Sequence, residues 1–208
     1  MMKLYYFETL NPRKACAVAR YLNSPIEFVR IDLGKGENRK PEYLAINPNA
    51  KVPALTDGST RLWEADAIMG YLAKAAGSDL LPGDDRQIDV MRWLSWNAQH
   101  FTRHAGSLYF QHVIKPHFGL GGPDPKAVEE ATGFFKQFAR VLNDHLSGRK
   151  YLVGDALTVA DFSVAVALPY AAKAKIPIGE FPEVERWHAR LNELPAWREP
   201  FPLTKAAA

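Results

Sequence analysis

The pattern of hydrophobic residues changes once along the chain, between residues 78 and 86. Before this point, segments that alternate as β-strands do are mixed with segments that have the spacing of helices. After it, helical spacing continues almost without strand-like segments. A mixed part followed by an all-helical part predicts two domains, an α/β domain over residues 1–78 and an all-α domain over residues 86–203.

The first part is predicted to run strand, helix, strand, short helix, strand, strand, helix. The predicted elements are strands at 3–7 and 26–33, helices at 12–23, 41–45 and 66–76, and a hairpin around Asp57-Gly58. The pair Asn11-Pro12 is a start signal for the first helix, with Asn as the cap and Pro at the first helical position. In the second part, helices are predicted at 86–111, 126–147, 158–173 and 183–194. The third of these begins with a capping-box pattern at Thr158–Asp161.

Charge and composition exclude several classes of function. The chain has 208 residues and a net charge of +3, with no run of five like charges, which argues against a nucleic-acid partner. No apolar run approaches the roughly 18 residues of a spanning helix, so no membrane partner is expected. The opening residues MMKLYYFETL turn polar too soon for a signal peptide. A single cysteine, Cys16, excludes an internal disulfide framework and indicates a reducing, cytoplasmic compartment.

Pro53 stands between a valine and a strand-like run, where it removes a backbone hydrogen-bond donor. A cis Val52-Pro53 bond would turn the chain sharply and leave the Val52 backbone available to an extended peptide. An ordinary trans turn is the alternative, and trans bonds are far commoner before proline. The residues themselves leave both alternatives open.

Four blocks of the sequence together resemble the glutathione S-transferases. They are YYFETLNPRKACAVARYL, KGENRKPEYLAINPNAKVPAL, LWEADAIMGYLA and YLVGDALTVADFSVAVAL, in the order and spacing of that family. The second block is similar to theta- and phi-like members, and Thr9-x-Asn11-x-x-Lys14 in the first is similar to bacterial nu-like members. The resemblance implies the glutathione S-transferase fold: a thioredoxin-like α/β domain, an all-α helical domain and usually a homodimer.

The chemistry of this family requires the thiolate of glutathione, whose thiol is mostly protonated at neutral pH, like a free cysteine with a pKa of about 8.5. Hydrogen-bond donors and the positive end of a helix dipole lower such a pKa. In the nu-like pattern, Thr9 and Asn11 face the sulfur, and we predict them to be the catalytic residues. The alternative is that Asn11 only caps the helix and Thr9 is only a turn hydroxyl.

Other side chains near this loop compete for the catalytic role. Tyr5 and Tyr6 fall inside the predicted strand, where packing is the expected role. Cys16 lies about one turn into the helix, where a buried and inert cysteine is the default. Leu10 stands roughly where beta-like members carry a cysteine, which argues against their mechanism.

The resemblance also implies where the charged ends of glutathione bind. For the glycine carboxylate the implied residues are Asn38, Arg39 and Lys40, and for the cysteinyl unit they are Lys51, Val52 and Pro53. The planar donor fork of Arg39 suits a carboxylate, whereas Asn38 would help only weakly. A solvated basic loop is the alternative for each of the first three.

The γ-glutamyl end is expected at LWEADAIM. The family pattern there is usually Glu/Gln-Ser-x-Ala-Ile, in which Glu receives the ammonium and the Ser hydroxyl and helix N–H groups receive the carboxylate. This sequence has Glu64 but Ala65 in place of the Ser, so one donor is missing, at a cost of roughly 1.5–3 kcal/mol. Asp66 is expected to cap the helix, and its charge would repel the ligand carboxylate.

The second substrate is expected against the start of the long helix, in an aromatic and apolar pocket suited to a small hydrophobic electrophile. The predicted pocket residues are Leu10, Trp96, His100, Phe101 and His104. Helix–helix core is the more frequent role of aromatics at this spacing. His100 and His104 have the spacing of the two histidines in the zinc motif HExxH. The glutamate of that motif is absent from this sequence and no third ligand is evident, so no metal is expected.

We therefore expect an enzyme that uses glutathione as a co-substrate and conjugates its thiolate to small hydrophobic electrophiles. Glutathione-dependent reduction of peroxides or disulfides is one alternative, suggested by the Thr-x-Asn loop. A binding or dimerisation module without catalysis is the other, since a fold does not determine a function.

Overall fold

The computed structural model describes residues 1–202, which form two compact units. Met1–Ser78 and the described residues from Glu193 onward form the first unit, and Asp79–Asn192 form the second. The sequence pattern had assigned the segment after 193 to the helical domain, whereas in the structure it belongs to the first unit. Residue 203, the predicted limit of that domain, lies outside the described residues.

A four-stranded sheet forms the centre of the first unit. Its strands are β1 (Met2–Tyr6), β2 (Ile26–Arg30), β3 (Ala54–Asp57) and β4 (Thr60–Trp63), in the spatial order β2-β1-β3-β4. β1 and β2 are parallel, whereas β3 is antiparallel to both β1 and β4. Leu4 and Leu55 face each other across β1 and β3 and are fully buried. Their burial on one face fixes the register, because a slip by one residue would turn both to the other face.

The predicted hairpin around Asp57-Gly58 is confirmed by the pairing of Asp57 with Thr60 at the β3–β4 turn. Gly58 has φ of +55° there, a conformation that glycine adopts without a steric penalty.

Helices of the first unit are α1 (Leu10–Tyr21), α2 (Pro41–Leu44), α3 (Ala65–Ala75) and a last short helix, Pro195–Arg198; a 3₁₀ turn covers Glu37–Arg39. α1 packs against α3, and its buried face is built mainly from small side chains between Ala15 and Ala19. Such side chains let two helices approach closely.

The predicted start of α1 is wrong by two residues. Thr9 is the cap, Leu10 is the first helical residue, Asn11 is the second and Pro12 is the third. Proline fits anywhere in the first turn, because the N–H that it lacks has no helical acceptor there.

Arg13 explains why the C-terminal segment returns to the first unit. This buried side chain donates hydrogen bonds to the carbonyls of Trp197 and Arg198, and its guanidinium carbon lies 5.2 Å from the centre of the Trp197 ring. Further along, Phe201 stacks on Tyr6 with 5.8 Å between ring centres. An arginine taken out of water is stabilised by such acceptors and by an aromatic face.

The second unit is all-helical. Its helices are α4 (Arg86–Trp96), α5 (Thr102–Tyr109), α6 (Lys115–His117), α7 (Pro125–Leu146), α8 (Val159–Val164), α9 (Ala171–Ala174) and α10 (Pro182–Leu191), which makes the C-terminal helix Pro195–Arg198 α11. The predicted helix over 86–111 is interrupted by π-helical turns at Asn97–Phe101 and Phe110–Ile114. The predicted helix over 158–173 breaks into α8, a 3₁₀ segment and α9, because Pro169 removes an N–H donor from its interior. In the part of the chain described, no helix has the length and apolar character needed to cross a bilayer.

Asp161 organises the core of the second unit. The capping box of α8 is confirmed, and the carboxylate also accepts hydrogen bonds from the Leu152 amide at 3.0 Å and from Trp187 Nε1 at 3.0 Å. Burial raises the pKa of Asp161, and the hydrogen bonds from Leu152, Thr158 and Trp187 oppose that shift. The carboxylate thus joins α8, the preceding loop and α10.

Candidate functional site

A cavity of about 350 Å³ lies in the first unit, beside the sheet. Its walls come from three places: the first turn of α1, the loop between α2 and β3, and the turn that leads into α3. The lining residues are Asn11, Asn47, Lys51, Val52, Pro53, Glu64 and Ala65. Of the predicted catalytic and glutathione-binding residues, six therefore line one cavity, and Asn47 is added to them.

The start of α1 places Asn11 and Thr9 at the positive end of the helix dipole. Asn11 is exposed and lines the cavity, so its side-chain amide is available to a ligand. Thr9 has extended backbone angles at the cap, is half-buried, and makes no side-chain cap hydrogen bond. Its hydroxyl is therefore not committed to the helix.

The competing residues are packed away from this cavity. Tyr6 is 3% exposed and stacks on Phe201, and burial raises the pKa of its phenol. Tyr5 packs edge-on against Tyr43 with 5.9 Å between ring centres. Cys16 is fully buried, as predicted, and burial raises the pKa of its thiol far above the ordinary value.

In the loop before β3, two side chains donate hydrogen bonds to the same backbone carbonyl. The Tyr43 hydroxyl donates to the Lys51 carbonyl at 2.6 Å, and Asn47 Nδ2 donates to the same oxygen at 2.8 Å. The Val52-Pro53 peptide bond that follows is cis. Val52 lies outside the strands, and its backbone forms no hydrogen bond with the rest of residues 1–202.

Asn47 was not identified from the sequence. It is 2% exposed, and its Oδ1 accepts hydrogen bonds from the backbone and side chain of Asn49, both at 3.0 Å. The Asn-Pro pair in NPNAKVP is a turn signal that could have indicated this role, since an asparagine before proline favours turn initiation.

The residues expected to bind the glycine carboxylate do not line the cavity. Asn38 Nδ2 donates to the Ala50 carbonyl at 2.8 Å, so this side chain supports the loop. Lys40 Nζ lies 3.9 Å from a Glu37 oxygen and is largely exposed. Arg39 is exposed at the end of the 3₁₀ turn.

The turn into α3 differs from the sequence prediction by one residue. Glu64 is the cap and Ala65 is the first helical residue, so Asp66 is not the cap but the second residue of the helix. Glu64 has φ of +70° and ψ of 119°, a backbone conformation that costs a non-glycine residue about 1–3 kcal/mol. Strain of this kind is concentrated at binding sites, and here it lies in the cavity wall.

Asp66 forms an ion pair with Lys14, a contact that no sequence motif indicates. Lys14 Nζ lies 2.6 Å from Asp66 Oδ1. The lysine side chain is 6% exposed and the aspartate side chain 25%. The two residues are separated by 52 positions, so neither periodicity nor a local motif could have paired them.

In the second unit, a separate cavity of about 260 Å³ lies between α4 and α7. It is lined by Arg92, Trp93, Trp96, Val141 and His145. Of the predicted pocket residues, only Trp96 lies in its wall. Leu10 belongs to the first unit and is 8% exposed.

The other predicted aromatic residues pack between helices. His100 stacks on Phe138 and His104 stacks on Phe134, with ring centres 4.6 and 4.8 Å apart. Phe101 is fully buried and stacks on Trp96, an arrangement that agrees with the helix–helix core alternative for this residue. Burial lowers the pKa of His104, and the cation of Arg103 lowers it further.

Residues 1–202 contain no group of three or more His, Cys, Asp or Glu side chains placed to hold a metal ion.

Comparison with known proteins relates both units to one family. The sequence patterns of the "Glutathione S-transferase, N-terminal domain" and "Glutathione S-transferase, C-terminal domain" match residues 2–74 and 107–195. Glutathione S-transferase 3 of Zea mays is 34% identical over 208 residues, which cover 95% of this chain and 92% of that protein. The disulfide-bond oxidoreductase YfcG of Escherichia coli is 28% identical over 205 residues, covering 94% and 92%.

Among solved structures, glutathione S-transferase-I bound with lactoylglutathione has a TM-score of 0.87 and 31% identity to this chain. The match covers 96% of this chain and 97% of that one.

Proposed function

The chain belongs to the glutathione S-transferase family, and from this premise we propose that it transfers the glutathione thiolate to small hydrophobic electrophiles. The observation that carries this assignment is the cavity in the first unit, in which the starts of two helices and an unpaired backbone meet. A small anionic peptide is suited to such a site, because helix N-termini bind anions and an open backbone pairs with peptide groups.

Each part of glutathione then has a counterpart. The cysteinyl unit pairs with the backbone of Val52, whose amide and carbonyl have no partner in the described chain. The γ-glutamyl ammonium lies against Glu64, and its carboxylate lies against the first amides of α3. Arg39 and Lys40, both exposed, receive the glycine carboxylate through solvent-accessible contacts.

Thr9 and Asn11 carry the chemistry. A thiol held at the start of α1 meets the Asn11 amide, the Thr9 hydroxyl and the positive end of the helix dipole, which all favour the thiolate. The thiolate sulfur then forms a bond to the electrophilic carbon, and the electron pair of the bond that breaks leaves with the departing group. The protein's contribution is to raise the thiolate fraction at neutral pH and to orient the sulfur.

Disulfide or peroxide reduction is the second candidate, and one observation favours it. The E. coli relative is named a disulfide-bond oxidoreductase and matches almost the whole chain. A site that stabilises the glutathione thiolate also permits its attack on a disulfide sulfur, with release of the second sulfur as a thiolate. The nu-like pattern Thr9-x-Asn11-x-x-Lys14 agrees with this alternative.

We also propose an oligomeric state and a cellular compartment. We expect a homodimer, and the apolar side chains exposed on the second unit, such as Val141 at 50% and Phe134 at 42%, support an interface there. The buried state of the single cysteine agrees with a cytoplasmic protein, in which disulfides are rare.

Isothermal titration with millimolar glutathione tests the proposal. Measurable heat with a single set of sites is expected for glutathione, and for its disulfide under the second candidate. Absence of heat with both ligands would leave the protein as a binding or dimerisation module of the same fold.

A further inference from the structure

The ion pair between Lys14 and Asp66 lies beside the proposed γ-glutamyl site. Asp66 is the second residue of α3, and Ala65 before it lines the cavity. An acidic side chain in the first turn of a helix is stabilised by the helix dipole. An anionic ligand at the same helix start competes for that positive potential and is repelled by the carboxylate.

Lys14 is placed so that its positive charge reduces this repulsion. It lies one turn after Asn11 on α1, so one face of the helix presents Asn11 to the cavity and Lys14 to α3. The lysine is 4% exposed, and its contact with Asp66 measures 2.6 Å. An ion pair with so little water around it is weakly screened, so the ammonium offsets the field of the carboxylate at the helix start.

We infer that Lys14 is a positioning and charge-compensating residue for glutathione, which makes the start of α3 able to accept the γ-glutamyl carboxylate despite Asp66. This inference rests on the proposed function. It adds to that function a residue that lies outside the cavity lining and acts through Asp66 rather than by touching the ligand. It also explains how a chain with Ala65 in place of a hydroxyl donor retains an anion site there.

The ion pair also connects the two helices that are proposed to hold the cysteinyl thiol and the γ-glutamyl unit. The start of α1 carries the thiol-stabilising groups and α3 carries the glutamyl site, and the pair ties the first turn of α3 to α1. Loss of Lys14 therefore removes the positive charge that lies 2.6 Å from Asp66, beside the proposed position of the γ-glutamyl carboxylate.

The test compares glutathione with γ-aminobutyryl-Cys-Gly, a tripeptide that lacks only the α-carboxylate of the glutamyl unit. Titration calorimetry would measure both dissociation constants for the native chain, Lys14→Met, Asp66→Asn and the double variant. For glutathione we expect Lys14→Met to raise the constant about tenfold, from two like charges at close range. The double variant, in which both charges are gone, should return to within about threefold of the native value.

The analogue gives the decisive readout, because a merely structural defect would affect both ligands. The inference predicts that Lys14→Met changes the binding of the analogue by less than about twofold. Equal weakening of both ligands, or an unchanged constant for glutathione, would overturn it. If the native chain binds neither ligand, the proposed function itself has failed.

One control variant and one comparison within the set complete the test. Lys3→Met is the matched control, because Lys3 pairs with Glu27 at 3.1 Å on the exposed surface of the same unit. It should leave both constants unchanged. If Lys14→Met does not fold, as judged by circular dichroism, Asp66→Asn decides alone: the preference for glutathione over the analogue should increase, and an unchanged preference would overturn the inference.

Discussion

Lys14 on α1 and Asp66 in the first turn of α3 are joined by an ion pair with 2.6 Å between Nζ and Oδ1. The sequence had suggested that Asp66 caps the helix and repels an anionic ligand. Its pairing changes that interpretation, because the charge nearest the proposed glutamyl site is compensated from a neighbouring helix. Ala65 then remains the main departure from the family pattern at this site.

Ala65→Ser is expected to tighten glutathione binding. Ala65 is the first residue of α3 and lines the cavity, so a hydroxyl there adds one donor toward the ligand carboxylate. A hydrogen bond to a charged group is worth about 1.5–3 kcal/mol, which corresponds to roughly 12- to 160-fold in the dissociation constant, measured by titration calorimetry. Ala75→Ser, at the exposed opposite end of α3, is the control. Unchanged or weaker binding in Ala65→Ser would mean that the carboxylate does not lie at this helix start.

Asp161→Asn is expected to destabilise the second unit by about 2–3 kcal/mol, because donors that face a carboxylate would then face an amide NH₂ group. Those donors are the backbone of Leu152 and Thr158 and the Trp187 indole. Urea unfolding followed by tryptophan fluorescence measures the change in the free energy of unfolding. Asp155→Asn, an exposed acid in the same loop, should change it by less than about 0.5 kcal/mol. Equal effects of the two variants would contradict the role assigned to Asp161.

Cys16 is expected to be unreactive in the folded protein. It is fully buried, and burial raises the pKa of its thiol, so the thiolate fraction is negligible at neutral pH. Ellman's reagent should detect no thiol in the native state and one per chain after denaturation. Cys16→Ala should keep the glutathione-dependent activity; loss of activity with an intact fold would assign the nucleophile to the protein.

The stability of the second unit is expected to fall in mild acid. Burial lowers the pKa of His145 and His104, so the folded state binds fewer protons than the unfolded state in the window below the ordinary histidine value. The stability is therefore fully present above about pH 6.5 and is lost as the pH falls toward the lowered values. Urea midpoints between pH 7.5 and 5 measure this slope.

His145→Gln should flatten that slope, whereas His117→Gln, at an exposed position, should reproduce the native one. An identical slope in His145→Gln and the native chain would show that this histidine is not responsible.

Most of the fold could be predicted from the sequence, because local periodicity encodes it. The strand order along the chain, the hairpin at Asp57-Gly58 and the capping box at Thr158 follow from patterns of a few residues. What could not be predicted depends on contacts between distant residues. The C-terminal segment joins the first unit through buried Arg13, and the long helix is interrupted at Asn97, whose side chain donates to Ser163 at 3.1 Å.

The candidate site, too, could be predicted only in part. Asn11, Val52 and Glu64, which the family resemblance assigned to the glutathione site, line one cavity. Asn38 was assigned to a ligand but supports a loop, because an amide side chain near an unpaired carbonyl satisfies it first. Phe101 was assigned to a pocket but lies in the core, since helical spacing does not say which face of an aromatic stripe is covered.

The catalytic assignment depends on Thr9 and Asn11. Removal of the Asn11 amide or the Thr9 hydroxyl by alanine is expected to raise the pKa of the bound glutathione thiol, while Thr9→Ser, which retains a hydroxyl, keeps it near the native value. Conjugation assays at neutral pH should slow in proportion to the lost thiolate fraction. If both alanine variants keep the native pKa, the two residues do not stabilise the sulfur.

The most direct test of the account is the ultraviolet absorbance of the thiolate of glutathione bound to the native protein, followed as a function of pH. The pKa of the bound thiol is expected well below the value of about 8.5 of a free thiol. Glutathione that binds but titrates at its free value would contradict it.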